Sequence, residues 1–217
     1  MKGVGSMTKA QFVNKMYEAI CRNHGGKMEG MWSLSTSCRL NKYCQARHKN
    51  GNSICSKCFA IRQTDWQHEL ANKLERNTEL LTENEIPAEC MPDVSIKDIF
   101  RLESFGDLNN VMQIKNYFTF AEANKGTIFG LWTKNTFLFP EARKAGIRKP
   151  SNVIIIESAP LIDTPIKPSD EWIDKVFIVW SKKYKNEPWI NCGKAKCIGC
   201  RNCYDLDGPK VINEVVK

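Results

Sequence analysis

Eight of the ten cysteines fall into two short stretches, and their spacing is the pattern in this chain best suited to chemistry. Near the C-terminus, NCGKAKCIGCRNCY carries Cys192, Cys197, Cys200 and Cys203, spaced x4, x2 and x2. Earlier, CRLNKYCQARHKNGNSICSKCFA carries Cys38, Cys44, Cys55 and Cys58, spaced x5, x10 and x2. Thiolates set this closely can converge on an inorganic centre, and both structural zinc and iron–sulfur clusters accept four of them. Eight thiols suffice for two closed sites. The x2-x2 run of Cys197, Cys200 and Cys203 is similar to ferredoxin spacing and favours a [4Fe–4S] cluster. The single C-x2-C knuckle of the first set suits zinc equally well. A third arrangement, one centre built from cysteines of both sets, is also open. Disulfides are the weaker expectation, because C-x2-C pairs in a chain without a secretory signal point to metal and to the cytoplasm.

Length and composition fit one globular domain over residues 1–217, and no run of about 18 apolar residues marks a membrane span. Met1–Ser6 precede a second methionine and are consistent with a tag remnant. The net charge of +8 is uneven. Residues 1–62 carry +9 and residues 63–112 carry −7. Such a basic front can attract nucleic acid or a nucleoprotein, with Arg39, Lys42, Arg47 and Lys49 of the first cysteine loop as the contacting residues. No general acid–base pair, nucleophilic triad or phosphate-binding loop is evident.

The elements that must position these residues follow from periodicity. Thr8 and Gln11 form a capping box, and Phe12, Met16, Tyr17 and Ile20 recur at helical spacing, predicting a helix over residues 9–22 with Cys21 near its apolar face. MWSLS reads as a strand leading to Cys38. The stretch from Cys38 to Cys58 has no hydrophobic period, so its order is expected to come from metal binding, with His48 facing solvent. From Phe59 to about Thr82 a single long helix is expected, with Trp66, Leu70, Leu74 and Leu81 on its buried stripe. Cys90 reads as a free thiol.

Beyond it, strands at about 99–103, 127–132, 153–156 and 176–180 alternate with helices at 111–123 and 140–145. Runs such as VIII and VFIVW suit strands buried on both faces. The expected fold is therefore α/β: a partial barrel or open, mostly parallel sheet with flanking helices and cysteine-rich metal-binding loops. Ligands in such folds collect at the carboxyl ends of strands. There the sequence places Gly106, read as a tight-turn glycine, Asp107, and Thr133-Lys134-Asn135, making Gly106, Asp107 and Lys134 candidates for cofactor binding.

Taken in order, Trp32, Cys38, Cys55 and Cys58 followed by Phe59-Ala60, Glu75-Arg76-Asn77, Phe105-Gly106-Asp107, Trp132-Thr133-Lys134, and Cys197, Cys200 and Cys203 followed by Tyr204 resemble the phage gene-product-eighty-eight family. That family is in turn similar to radical S-adenosylmethionine proteins. The resemblance implies a phage or mobile-element protein of the host cytoplasm, a [4Fe–4S] cluster at the end of a partial barrel, and S-adenosylmethionine as a further ligand. The chain departs from the radical-enzyme pattern in its x5-x10-x2 spacing and in Phe105, where a serine is expected. The leading functional expectation is a metalloprotein that binds nucleic acid or a host protein, as a regulator or defence inhibitor. The alternative is an iron–sulfur enzyme.

Overall fold

The computed structural model describes residues 7–193 and 195–216; Met1–Ser6, read above as a tag remnant, lie outside them. Seven strands form one sheet in chain order: β1 Cys21–Arg22, β2 Trp32–Leu34, β3 Ile99–Leu102, β4 Ile128–Thr133, β5 Val153–Ser158, β6 Lys175–Trp180 and β7 Val211–Val215. β1 is antiparallel to β2, and every later pair is parallel. The sheet is open, since β1 and β7 are edges. The expected α/β class is therefore observed, as an open, mostly parallel sheet rather than a partial barrel.

The helices are α1 Lys9–Ala19, α2 Lys42–Lys49, α3 Phe59–Trp66, α4 His68–Glu83, α5 Val111–Ala123, α6 Phe139–Lys144 and the single turn α7 Cys197–Cys200. None is long and apolar enough to cross a membrane among the described residues. Parallel strands laid down in order, with crossovers of one hand, put their connecting helices on one face. On that face Leu34, Phe100, Leu102, Phe129, Leu131, Val153 and Ile155 meet the apolar sides of α1, α4, α5 and α6. The alternate residues, Ile99, Trp132, Ile154 and Ile156, point to the opposite face and meet Met31 and Tyr204. Cys197, Cys203 and Met28 pack against the same cluster. Strand positions buried on both faces explain the unbroken apolar runs of β4 and β5.

Three expectations are corrected. The first helix stops at Ala19, and Cys21 lies in β1 rather than on its face, half-buried beside Lys73. The long helix is two helices, broken at Gln67, where φ is −109° and ψ is 80°. Just before the break, Thr64 Oγ1 donates back to the carbonyls of Ala60 (3.0 Å) and Ile61 (2.9 Å), a contact that bends helices. Leu74 and Leu81 are buried as expected, but Trp66, on the far side of the break, is 86% exposed. Finally, residues 38–58 have internal order of their own. Asn41 caps α2 by accepting from the Cys44 amide (3.1 Å). Ser53 and Ile54 bond the Pro160 carbonyl, and Tyr43 Oη donates to the Lys134 carbonyl (2.7 Å). His48 is not simply solvent-facing, because its Nδ1 lies 2.8 Å from the Cys55 carbonyl oxygen. A polar network thus contributes order to a segment that lacks a hydrophobic period. The edge strand β7 was not expected at all.

Candidate metal centres

The carboxyl ends of β2, β3 and β4 form the first site. β2 runs into Ser35-Thr36-Ser37-Cys38, β3 into Glu103 through Asp107, and β4 into Thr133-Lys134-Asn135. Asp107 ties the three together and is 5% exposed. Its carboxylate accepts from Thr133 Oγ1, from the Lys134 amide (2.9 Å) and from the Leu108 amide (2.8 Å). The amide of Asn41 donates to the Asp107 carbonyl (2.8 Å), which moors α2 to the same rim. Asp107 is therefore a strap between strand ends with its hydrogen-bonding capacity used internally.

Gly106 is required for a different reason from the expected one. Its φ is not positive, but an added Cβ would stand 2.6 Å from both the carbonyl oxygen and Oγ1 of Thr36, and 2.8 Å from Glu103 Oε2. Glu103 is the residue the sequence reading passed over. It is 2% exposed, has φ of 57°, and accepts from Tyr117 Oη (2.5 Å), Gln113 Nε2 (2.6 Å) and Thr36 Oγ1 (2.9 Å). Burial raises its carboxyl pKa to about 7 despite these donors, and nearby Asp107 pushes the same way. The one available signal was a glutamate ending an apolar strand.

Around this rim the first cysteine set gathers. Cys58 faces Cys38, and that contact together with the amides of Ile61 and Ala60 at the start of α3 lowers the Cys58 pKa. The same contact, followed by burial, raises that of Cys38. Cys44 lies close to Cys38 and Cys55, and burial, with Asp107 and Glu103 nearby, raises its pKa. The Lys134 ammonium favours the thiolates of Cys44 and Cys58, whereas the Asp107 carboxylate opposes that of Cys44.

The second set lies elsewhere. Arg201 pairs with Asp98 (2.7 Å), just before β3, and Gly30, just before β2, lies against Ile198. α7 thus sits at the amino ends of these strands, and Tyr204 packs on Trp132 (5.6 Å) under the sheet. Cys192, Cys197 and Cys203 are mutual neighbours, and burial raises the pKa of each, Cys203 to about 12. Two cations face them: Lys27, whose Nζ lies 3.6 Å from Cys192 Sγ, and Arg101, whose guanidinium stacks 3.8 Å from the Trp132 ring. Cys200 is the exposed member. No family model, curated protein or solved structure matches this chain.

All ten cysteines are free thiols. The two sets sit at opposite ends of the sheet, so a single centre mixing both is not what the fold assembles. Among the described residues, no group of three or more His, Cys, Asp or Glu side chains stands in ligating geometry. The sulfurs are neighbours without being coordinated. As donors they nonetheless suit a soft cation, since thiolate, with a lysine or arginine beside it to offset negative charge, is what zinc and iron–sulfur centres take.

The proposed nucleic-acid contacts are not one cluster. Arg39 bonds Thr64 (3.1 Å) and is paired with Asp65, so its charge is spent within the chain. Arg47 lies over the Tyr43 ring at 5.2 Å, whereas Lys42 and Lys49 at the two ends of α2 are exposed.

Proposed function

We propose that the chain is a cysteine-ligated metalloprotein that engages nucleic acid, or a nucleoprotein carrying it, through its basic N-terminal third. One observation carries the reading. Cysteines spread over 21 sequence positions in one set and 12 in the other come together as two separate thiol neighbourhoods, each beside a lysine. Cys38, Cys44, Cys55 and Cys58 would hold one centre and Cys192, Cys197, Cys200 and Cys203 the other. Binding would require each set to draw closer, and an iron–sulfur cluster would supply electron transfer or a redox-sensitive fold, whereas zinc would supply structure alone. The resemblance to phage proteins adds the setting, a regulator or defence inhibitor acting in host cytoplasm.

The test is an anaerobic preparation analysed for iron, sulfide and zinc alongside its absorption spectrum. Broad absorption near 400 nm with matching iron and sulfide identifies the clusters, and a colourless protein with zinc identifies structural sites. Cys38→Ala with Cys58→Ala should remove about half of the metal, and Cys197→Ala with Cys203→Ala the other half. Metal-free protein throughout, with both pairs of variants unaltered, rejects the reading.

A second reading, an iron–sulfur enzyme that binds S-adenosylmethionine, draws on the position of the first set at the carboxyl ends of parallel strands. Lys134 would be its cofactor contact, and Gly106 and Asp107 would hold the rim in shape. Calorimetric binding of S-adenosylmethionine to cluster-loaded protein, weakened by Lys134→Ala, supports it. Absence of binding removes it.

A further inference from the structure

The break at Gln67 leaves α3 with an outer face on which, among the described residues, two large rings stay exposed. Ala60 and Thr64 are buried on its inner side. Directly opposite them at helical spacing stand Phe59, 56% exposed, Arg62, exposed, and Trp66. Phe59 is steadied by the Phe105 ring 5.9 Å away, so it is a fixed surface rather than a loose side chain. Large rings left in water on a short helix cost free energy unless something stacks on them, and two with an arginine between form a patch outside the ordinary run of scattered apolar residues.

Charge identifies what that something is. Residues 38–66 carry six cations, Arg39, Lys42, Arg47, Lys49, Lys57 and Arg62, against the single acid Asp65. Asp65 and Arg39 neutralise each other, which leaves the other five cations. The aromatic face is therefore flanked by the exposed cations Lys57 and Arg62, with no free carboxylate within residues 38–66, which complements a polyanion carrying flat rings and disfavours a basic-rimmed protein patch. Aromatic platforms interleaved with cations are how single strands are held without sequence readout. Seven helical residues separate Phe59 from Trp66 by about 10 Å along the axis, roughly three base steps at ~3.4 Å.

From this juxtaposition we infer that α3 is a stacking platform for single-stranded nucleic acid, with bases on Phe59 and Trp66 and phosphates on Arg62 and Lys57. The inference rests on the nucleic-acid part of the proposed function and adds the strand type and the contact residues. Duplex DNA, whose bases already stack on one another, should bind the same surface by charge alone.

The full chain is titrated into fluorescein-labelled dT12 and rU12 and into a 12-base-pair duplex, following anisotropy, while unlabelled strands are followed by tryptophan emission. Single strands should bind at least tenfold more tightly than duplex and quench emission. Trp66→Ala and Phe59→Ala should each weaken single-strand binding about tenfold, and Trp66→Phe should restore most of it. Because Trp66 lies in water, its variants should fold, which far-UV dichroism checks. Binding that falls with salt but is indifferent to Trp66 and Phe59, or that does not distinguish single strands from duplex, overturns the platform while leaving the basic surface standing. No binding of any oligonucleotide at low salt overturns both. Metal content of the same samples reports separately on the metal reading.

Discussion

Lys27, in the connection between β1 and β2, and Glu214, in the last strand, are joined at 2.6 Å although they lie 187 positions apart in sequence. The pair links the connection beside one edge of the open sheet to the strand at its other edge, and Lys27 reaches Cys192 from the same position. Burial alone would push the lysine pKa down, but Glu214 and the thiols beside it hold it up. Lys27→Met leaves Glu214 without its partner in a mostly buried place. Chemical denaturation should show a loss of about 2–3 kcal/mol, somewhat under the ~3–5 kcal/mol of a fully buried broken pair. A loss below 0.5 kcal/mol would mean that the bridge is incidental.

Glu103 should make stability fall as pH rises. Its folded pKa of about 7 lies above the ~4.3 of an unfolded glutamate. Below pH ~4 both states are protonated and the protein has its full stability. Between ~4 and ~7 the unfolded chain ionises first, and above ~7 the cost of the buried charge, about 4 kcal/mol, is fully present. Urea midpoints across this range should decline in the parent protein and flatten in Glu103→Gln. An unchanged slope would show that Glu103 does not carry the effect.

Crowding around Gly106 predicts a large effect from one methyl group. Gly106→Ala forces a carbon to within 2.6 Å of the Thr36 backbone oxygen, which cannot swing away. A destabilisation of about 2–3 kcal/mol follows. A conformational role alone would not produce it, since the backbone here is accessible to alanine.

The break at Gln67 sorts two residues that one helical stripe would have joined. Leu74→Ala should cost about 2–5 kcal/mol, whereas Trp66→Ala should lie within about 0.5 kcal/mol of the parent. Thermal and urea denaturation measure both. Equal losses would restore the continuous helix.

Among the metal-free, reduced thiols, Cys58 should alkylate with a distinct pH dependence. Its pKa is lowered to about 6, with the contact to Cys38 the largest cause and the α3 amides next. Mass-mapped iodoacetamide labelling at Cys58 should therefore slow roughly fivefold to tenfold from pH 7 to pH 5. Cys38, buried and holding its proton, should remain unlabelled at both. Rapid labelling of Cys38 would contradict that arrangement.

Much of the frame was legible. Asn110 caps α5, and its predicted bounds of 111–123 coincide with those observed. The VIII run forms the first four residues of β5, buried on both faces. The two cysteine sets remain separate in space as they are in sequence. Less legible was anything depending on a distant atom. Trp66 has the right spacing for the α4 stripe, and only the back-bonding of Thr64 and the turn at Gln67 remove it. Asp107 lies at a strand end, where binding residues gather, but its oxygens are already taken by Thr133 and Lys134.

What the sequence by itself determined is the α/β class, the parallel central strands, the bounds of α5 and, to within one residue, those of α6. Each of these follows from spacing within a few residues, where side-chain period and capping act directly. Tertiary structure alone decided that β7 completes the sheet, that Glu103 is a buried carboxylate, that Gly106 must lack a side chain and that α3 shows its aromatic face to water. Those outcomes turn on which atoms the fold brings within a few ångströms across tens to nearly two hundred residues, and no local pattern carries that information.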